Sequence, residues 1–328
     1  MATNYLYGTI LTSESVAANN RGDNIGNTTT LQKVFHQDDL HTSVSAESIR
    51  FAIRYRFQLE GMKVNREYDS SVGKLEYEDE KRTYWNSNGD IFIDDDLMGF
   101  MDAAAAKKES EDEAAEVADL ATEQIAPAKG AKKPRAKGTT TKRTSPLAVG
   151  RAVSLRPYRG ELSFNAVSGE KVKGKLSLYN AEMHTTEYQY SFGLNLNDVI
   201  KKENIGHLID AVIDPPPVAG NHSRFAYDFS PASIVLRVTS AHSSKIQNCF
   251  EHNEETRGYT VARLIHRVVS GDIPAVELII GGELAATEEG KKLAQLGATV
   301  FPGVKAAADE ARKRIVDLGG DYTATRAK

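Results

Sequence analysis

Tyr5, Tyr7 and Thr9 alternate with Leu6, Gly8 and Ile10, the two-residue period of a β-strand that ends near Thr12. The next stretch, TSESVAANNRGDNIGNTTTLQKV, is rich in Ser, Thr, Asn and Gly, which predicts a turn-rich loop. The period then changes. SAESIRFAIRYRFQLEG repeats apolar residues at Ile49, Ala52, Ile53 and Phe57, with Ser45 placed to cap, Glu47 in the first turn and Gly61 as a stop, so a helix is predicted. Arg50 and Arg54 are four residues apart on it and form a cationic stripe along one face.

Downstream, Tyr188, Tyr190, Phe192, Leu194 and Leu196 alternate with Gln189, Ser191, Gly193 and Asn195, the longest strand pattern in the chain. SIVLRVT (233–239) predicts another strand, GYTVARLIHRVVSG (258–271) a helix with Val261, Leu264, Ile265 and Val268 on one face, and AVELIIGG a final strand. The order strand, helix, strand, strand, helix, strand predicts an α+β fold on the ferredoxin-like or RRM-like plan, β-α-β-β-α-β. In that plan two helices cover one face of the sheet and the other face is left for ligands. Residues 288–318, rich in Ala, Lys and Arg, predict a peripheral helical segment.

Residues 103–146 break the pattern. They hold almost no large apolar side chain and predict a flexible, low-complexity insertion, acidic in its first half and basic in its second. From Lys129 to Lys175 there are thirteen Lys or Arg against two acids, Glu161 and Glu170, in a chain whose net charge is −4. Any nucleic-acid site is therefore local. At 328 residues the chain makes one large domain with insertions or two smaller ones. The lone Cys249 excludes an internal disulfide and any CxxC chemistry. The start carries no secretory signal pattern, and no apolar run spans a bilayer, which predicts a cytoplasmic protein away from membranes.

Catalytic constellations are thin: GxSxG, Walker A, GxGxxG and HExxH are all absent. His36, Asp38, Asp39 and His41 form a loose cluster that is either a weak metal site or a solvated loop. Asp94, Asp95 and Asp96 follow a strand-like IFI and either end that strand or meet an ion. The stretch 214–231 mixes His222, Arg224, Phe225 and Tyr227, as a phosphate-touching, base-stacking hairpin or an ordinary packed one would. The loop after strand one offers Arg21 and many hydrogen-bond donors, and delivers the chain to a helix start edged by Ser45 and Ser48. Unpaired N–H groups and nearby guanidinium groups at such a start suit a phosphate.

LYGTILTSESVAANNRGDNIGNTTTLQKV, VSAESIRFAIRYRF, SPASIVLRVT and the final helix and strand through VELIIGG together resemble the DevR-type backbone subunit of type I CRISPR effector (Cascade) complexes, within the RAMP superfamily. The resemblance implies an RRM-like palm with finger, web and thumb insertions. It divides the chain into 1–60 (first half of the palm), 61–182 (fingers and web, with 103–146 inside), 183–287 (second half, with a thumb hairpin about 214–231) and 288–328 (C-terminal helical segment). It also implies head-to-tail stacking of copies along a CRISPR guide RNA, target DNA paired to that guide, and capping and large subunits as further partners. The family's helix-start pattern falls on Ser45, Glu47, Ser48, Ile49 and Arg50, with the next cation at Arg54. Arg21, Asn24, Asn27, Ser45, Ser48, Arg50 and Arg54 are thereby expected to hold the guide, and His222, Arg224 and Phe225 to form the thumb. The basic run through Arg151, Arg156 and Arg159 is the alternative thumb. No catalytic residue, metal or cofactor is expected. Two other readings stand beside this one: an RNA-cutting relative of type III kind using Asp23, and a structural or regulatory protein without RNA.

Overall fold

The computed structural model describes residues 3–18, 21–36, 38–87, 89–101, 142–166, 178–219 and 227–318. Residues 103–141 of the insertion, and the thumb candidates His222, Arg224 and Phe225, lie outside the described residues.

In chain order the first elements are β1 (Tyr5–Thr12), β2 (Ser15–Ala17), β3 (Arg21–Ile25), β4 (Thr28–Leu31), β5 (Lys33–His36), β6 (Asp39–Val44) and α1 (Ala46–Leu59). Next come β7 (Arg66–Asp69), β8 (Lys74–Tyr77), α2 (Thr83–Asn86), α3 (Ile93–Met98), β9 (Phe100–Met101), β10 (Lys142–Arg143), β11 (Leu147–Val149), β12 (Ala152–Ser154), β13 (Glu161–Ala166), β14 (Leu178–Thr186) and β15 (Tyr188–Asn195). The remainder is α4 (Glu203–Ile213), β16 (Pro231–Thr239), β17 (Glu251–Asn253), β18 (Gly258–Thr260), α5 (Ala262–Val269), β19 (Leu278–Gly282), α6 (Glu288–Gln295), β20 (Thr299–Phe301) and α7 (Val304–Asp317). Among the described residues no helix is long and apolar enough to cross a membrane.

The fold is mixed α+β. A central sheet runs β20-β19-β16-β1-β15-β12-β6-β5, with β11 also on β15. The predicted strands β1, β15, β16 and β19 and the helix α1 are all present, but the β-α-β-β-α-β assignment changes. The helix between β15 and β16 is α4, and the strand after α1 that joins β15 is β11 and β12, so β16-β1-β15-β12 interleaves two strand–helix–strand halves. The predicted second helix, shortened to α5, belongs to an added layer instead.

That layer corrects a second expectation, because the face away from α1 is largely covered by a second core. Leu6 and Ile10 of β1 face a core shared with α1, α4 and α7, whereas Tyr7 and Leu11 face a second core with Leu264, Val268 and Leu293 of α5 and α6. Strands apolar on both faces need cover on both. The C-terminal segment is likewise not peripheral. Ala307, Ala308, Ala311 and Ile315 of α7 are fully buried, and β20 pairs with β19 in parallel. A Cβ on Gly281 of β19 would stand 2.6 Å from the Ala307 Cβ, so the small residues let the helix approach the sheet closely.

The expected loop after β1 is ordered as strands. β3 and β4 form a hairpin closed by Ile25 and Thr28 around Gly26, whose φ of 60° suits a two-residue turn with glycine first. Together with β13, β14 and β2 they make a separate five-stranded sheet. The insertion also ends earlier than expected: β9 and β10 pair antiparallel, so residues 142–146 are part of the fold.

Candidate nucleic-acid interface

The tip of α1 is built as its sequence suggests. Ser45 takes an extended conformation and its Oγ accepts the Ser48 N–H at 3.2 Å, an N-cap that leaves the positive end of the helix facing outward. The two hydroxyls lie 3.0 Å apart. Strand β6, which delivers the chain to this tip, pairs with β12 through Val44 and Ala152. That pairing brings the preceding residue, Arg151, alongside. Arg151 is exposed, its Nη1 lies 3.2 Å from Ser43 Oγ and 3.4 Å from Gln32 Oε1, and among the described residues no carboxylate pairs with it. A helix N-terminus edged by hydroxyls, with exposed Glu47 in its first turn and a guanidinium on the neighbouring strand that reaches Ser43 and Gln32, lies at this surface, and the hydroxyls, N–H groups and guanidinium suit a phosphate.

The cationic stripe of α1 does something else. Arg54 is only 9% exposed; its Nε binds Asp94 Oδ2 at 3.2 Å and its Nη2 reaches the Met98 sulfur at 3.4 Å. Arg50 is half-buried and donates to the carbonyls of Leu147 (3.0 Å) and Met98 (2.9 Å) and toward Ser145 Oγ (3.5 Å). Burial lowers the pKa of both, and their mutual repulsion adds to this at Arg50. The expectation that Arg54 clasps phosphate is therefore corrected, since α3 lies against this face and its acid has already claimed the guanidinium. Arg50 ties α1 to α3 and β11.

The three acids of α3 form the other side of that contact. Rather than ending a strand, Asp94, Asp95 and Asp96 occupy the first turn of a helix and are all buried. Asp94 also accepts the backbone N–H groups of Asn65 (2.7 Å) and Arg66 (3.2 Å). Asp95 takes Asn65 Nδ2 at 2.7 Å and the Tyr84 hydroxyl at 2.6 Å, with Arg82 Nε at 3.6 Å, and burial raises its pKa. Asp96 receives Arg143 Nη2 at 2.6 Å, the N–H groups of Ile200 and Lys201 at 3.0 Å, and Asn204 Nδ2 at 2.9 Å. Arg143, expected in the flexible insertion, is held in place by this contact.

The remaining candidates do not converge on one point. Asn24, Asn27 and Asp23 are exposed on the β3–β4 hairpin, where the Asp23 carbonyl accepts Thr30 Oγ1 at 2.5 Å, and Arg21 begins β3. His36 pairs with Asp39 across the β5–β6 hairpin, while His41 turns inward with its Nδ1 2.7 Å from Ser154 O. Among the described residues no group of three or more His, Cys, Asp or Glu is arranged to hold a metal. Arg156 binds both Glu187 and Glu14, so of the basic run Arg151 and Arg159 are the solvent-facing members. Singling out Arg151 required the β6–β12 register, which has no local signature.

The fold and this geometry can be set beside known proteins. A family model described as CRISPR-associated negative auto-regulator DevR/Csa2 matches residues 9–261. The chain belongs to the DevR/Csa2 family. It is also 37% identical over 322 residues to "CRISPR-associated protein Cas7/Cst2/DevR" of Myxococcus xanthus (strain DK1622), covering 95% of this chain and 97% of that one. The DevR/Csa2 fold seen here is similar to two solved chains. One, titled "CRISPR RNA-guided surveillance complex, pre-nicking", matches at a TM-score of 0.55 with 11% identity, covering 95% of this chain and 99% of the other. The second, titled "CRISPR RNA-guided surveillance complex", matches at 0.52 with 12% identity, covering 96% and 99%.

Proposed function

We propose that this DevR/Csa2 protein is a non-catalytic backbone subunit that binds CRISPR guide RNA in a Cascade-type, DNA-targeting complex, with successive copies stacked head to tail along the guide. In this reading β1, β12, β15 and β16 with α1 and α4 are an RRM-like palm, the five-stranded sheet is the fingers, and His222, Arg224 and Phe225 belong to the thumb. The other partners are target DNA paired to the guide, and the capping and large subunits of the complex. Family membership and the titles of the structurally similar chains support the reading. The single observation that carries it is the hydroxyl-edged start of α1, where Ser45 and Ser48 offer hydrogen bonds and Arg151, just before β12 on the paired strand, offers positive charge. A subunit that holds any guide sequence has to grip phosphate and sugar and leave base edges free to pair. Head-to-tail stacking is a heterologous contact that extends until something caps it, so RNA length and end subunits would set the filament.

The test is Arg151→Ala, assayed by RNA binding over a salt series. Affinity is expected to fall to the same extent for guides of unrelated sequence, and the slope of log K against log salt to decrease by roughly one unit, with the melting temperature unchanged. Wild-type affinity and slope in this variant would remove the tip from the interface.

A further inference from the structure

On the side of the central sheet away from α1, a cavity of about 480 Å³ opens between β12, β15, residues 243–248 and α5. That volume lies within the range of small-ligand sites, about 300–1,000 Å³. One wall is clamped from beneath. Arg237, 2% exposed, donates from Nη1 to the carbonyls of Ser243 and Ser244, both at 3.0 Å, while its Nε binds Glu277 at 2.8 Å. Thr9 donates to Ile246 O at 2.7 Å. Between these anchors Lys245 is held at φ 52° and Asn248 at φ 48°. A lysine keeps that conformation only where its surroundings enforce it, and such strain gathers at ligand clamps.

The charges around the cavity do not cancel residue by residue. Arg263 pairs with Glu251, and Lys245 pairs with Asp272 at 3.5 Å. Arg267 donates to the Lys245 carbonyl but has no carboxylate partner among the described residues, so it is a cation without a counter-charge at the cavity wall. Gln189, 5% exposed, donates from Nε2 to Phe250 O at 2.8 Å, and its Oε1 has no partner among the described residues. A buried acceptor left unpaired is costly, and an N–H donor brought into the cavity, with a small turn of the amide, would satisfy it. Ser243, Ser244, Gln247 and Asn248 add hydroxyl and amide groups along the same wall.

We propose that this cavity is a second ligand site, and that it takes one nucleotide: phosphate at Arg267, sugar against residues 243–248, base N–H toward Gln189. An anion at one end, hydroxyls between and an N–H at the other is what the lining asks for, and it asks for no particular base. The site is separate from the α1 tip and does not rest on the function proposed for it.

Isothermal titration of the full chain with AMP, adenosine and a five-nucleotide RNA tests this. AMP is expected to bind saturably and at least about tenfold more tightly than adenosine, as one charge-assisted phosphate contact implies. Arg267→Gln should abolish that preference, and Gln189→Leu should weaken both ligands. If the RNA binds more tightly than AMP and loses affinity in Arg267→Gln, the nucleotide is part of a strand; if AMP binds at least as well, it is a free nucleotide. No saturable AMP binding, or equal binding of AMP and adenosine, or an Arg267→Gln variant indistinguishable from wild type overturns the proposal. Arg151→Ala run alongside separates the two sites, because it should weaken the RNA and leave AMP unchanged.

Discussion

At α3, three guanidinium groups meet three buried carboxylates, whereas beside the tip of α1 Arg151 is exposed next to Ser43 with no acid paired to it among the described residues. The two regions use the same side-chain chemistry and share one helix, yet they do opposite things. Asp94 and Asp96 are held by backbone N–H groups as well as by arginine, which offsets the desolvation of both charges and makes the cluster part of the architecture. The tip keeps its cation unneutralised, which costs little in water and leaves a charge free to meet an anion. An arginine on a helix is thus assigned by what faces it, not by its spacing from the helix start.

The sharpest way to break this comparison is Arg54→Ala. It strands Asp94 in the interior and should destabilise the protein by about 3–5 kcal/mol in urea denaturation, while RNA affinity of the folded fraction stays at the wild-type value. Unchanged stability with weakened RNA binding would return Arg54 to the interface.

A second buried polar cluster asks whether internal charge is tolerated only when paired. His184 is 2% exposed, with Nδ1 2.8 Å from Thr42 Oγ1; burial, and then the nearby His41 and Arg156, push its pKa down to about 4. His41 is also lowered, chiefly by burial. The folded pKa of His184 lies below its ordinary value, so as pH falls the unfolded chain takes up the proton first. Stability is complete above about pH 6.5 and should drop by about 3 kcal/mol toward pH 4 from His184 alone. Urea midpoints of wild type and His184→Gln across that window isolate the effect, and parallel pH profiles would refute it. The smallest effect belongs to the tip: Ser45→Ala removes the cap and should cost about 1 kcal/mol, with a loss of RNA affinity that Arg54→Ala does not share.

Much of the sheet was legible because its strands carry their period in their own residues. Tyr188 to Leu196 alternates without interruption, and the Ser45 cap and Ile49, Ala52, Ile53 and Phe57 mark α1. Helix α4 is also written in apolar spacing, at Ile205, Leu208, Ile209 and Val212, but it lies between stronger strand patterns, so the helix of the second half is easily assigned to the apolar face of α5 instead. The covered second face could have been inferred from Tyr7 and Leu11, which are apolar at positions assigned to an open surface. The partners of the arginines could not. Nothing local in IDDDLM says that Asp94 will meet Arg54 forty residues earlier, or that Asp96 will meet Arg143 across the insertion. Long-range charge pairing leaves no period to read.

The short ladder of β9 and β10, with Phe100 opposite Arg143 and Met101 opposite Lys142, holds residues 101 and 142 side by side. Closing a loop between fixed ends costs only about 0.6 kcal/mol more for each doubling of its length. With residues 101 and 142 fixed as neighbours, a fluorescent reporter or an affinity handle inserted between them should leave the rest of the molecule assembling as before.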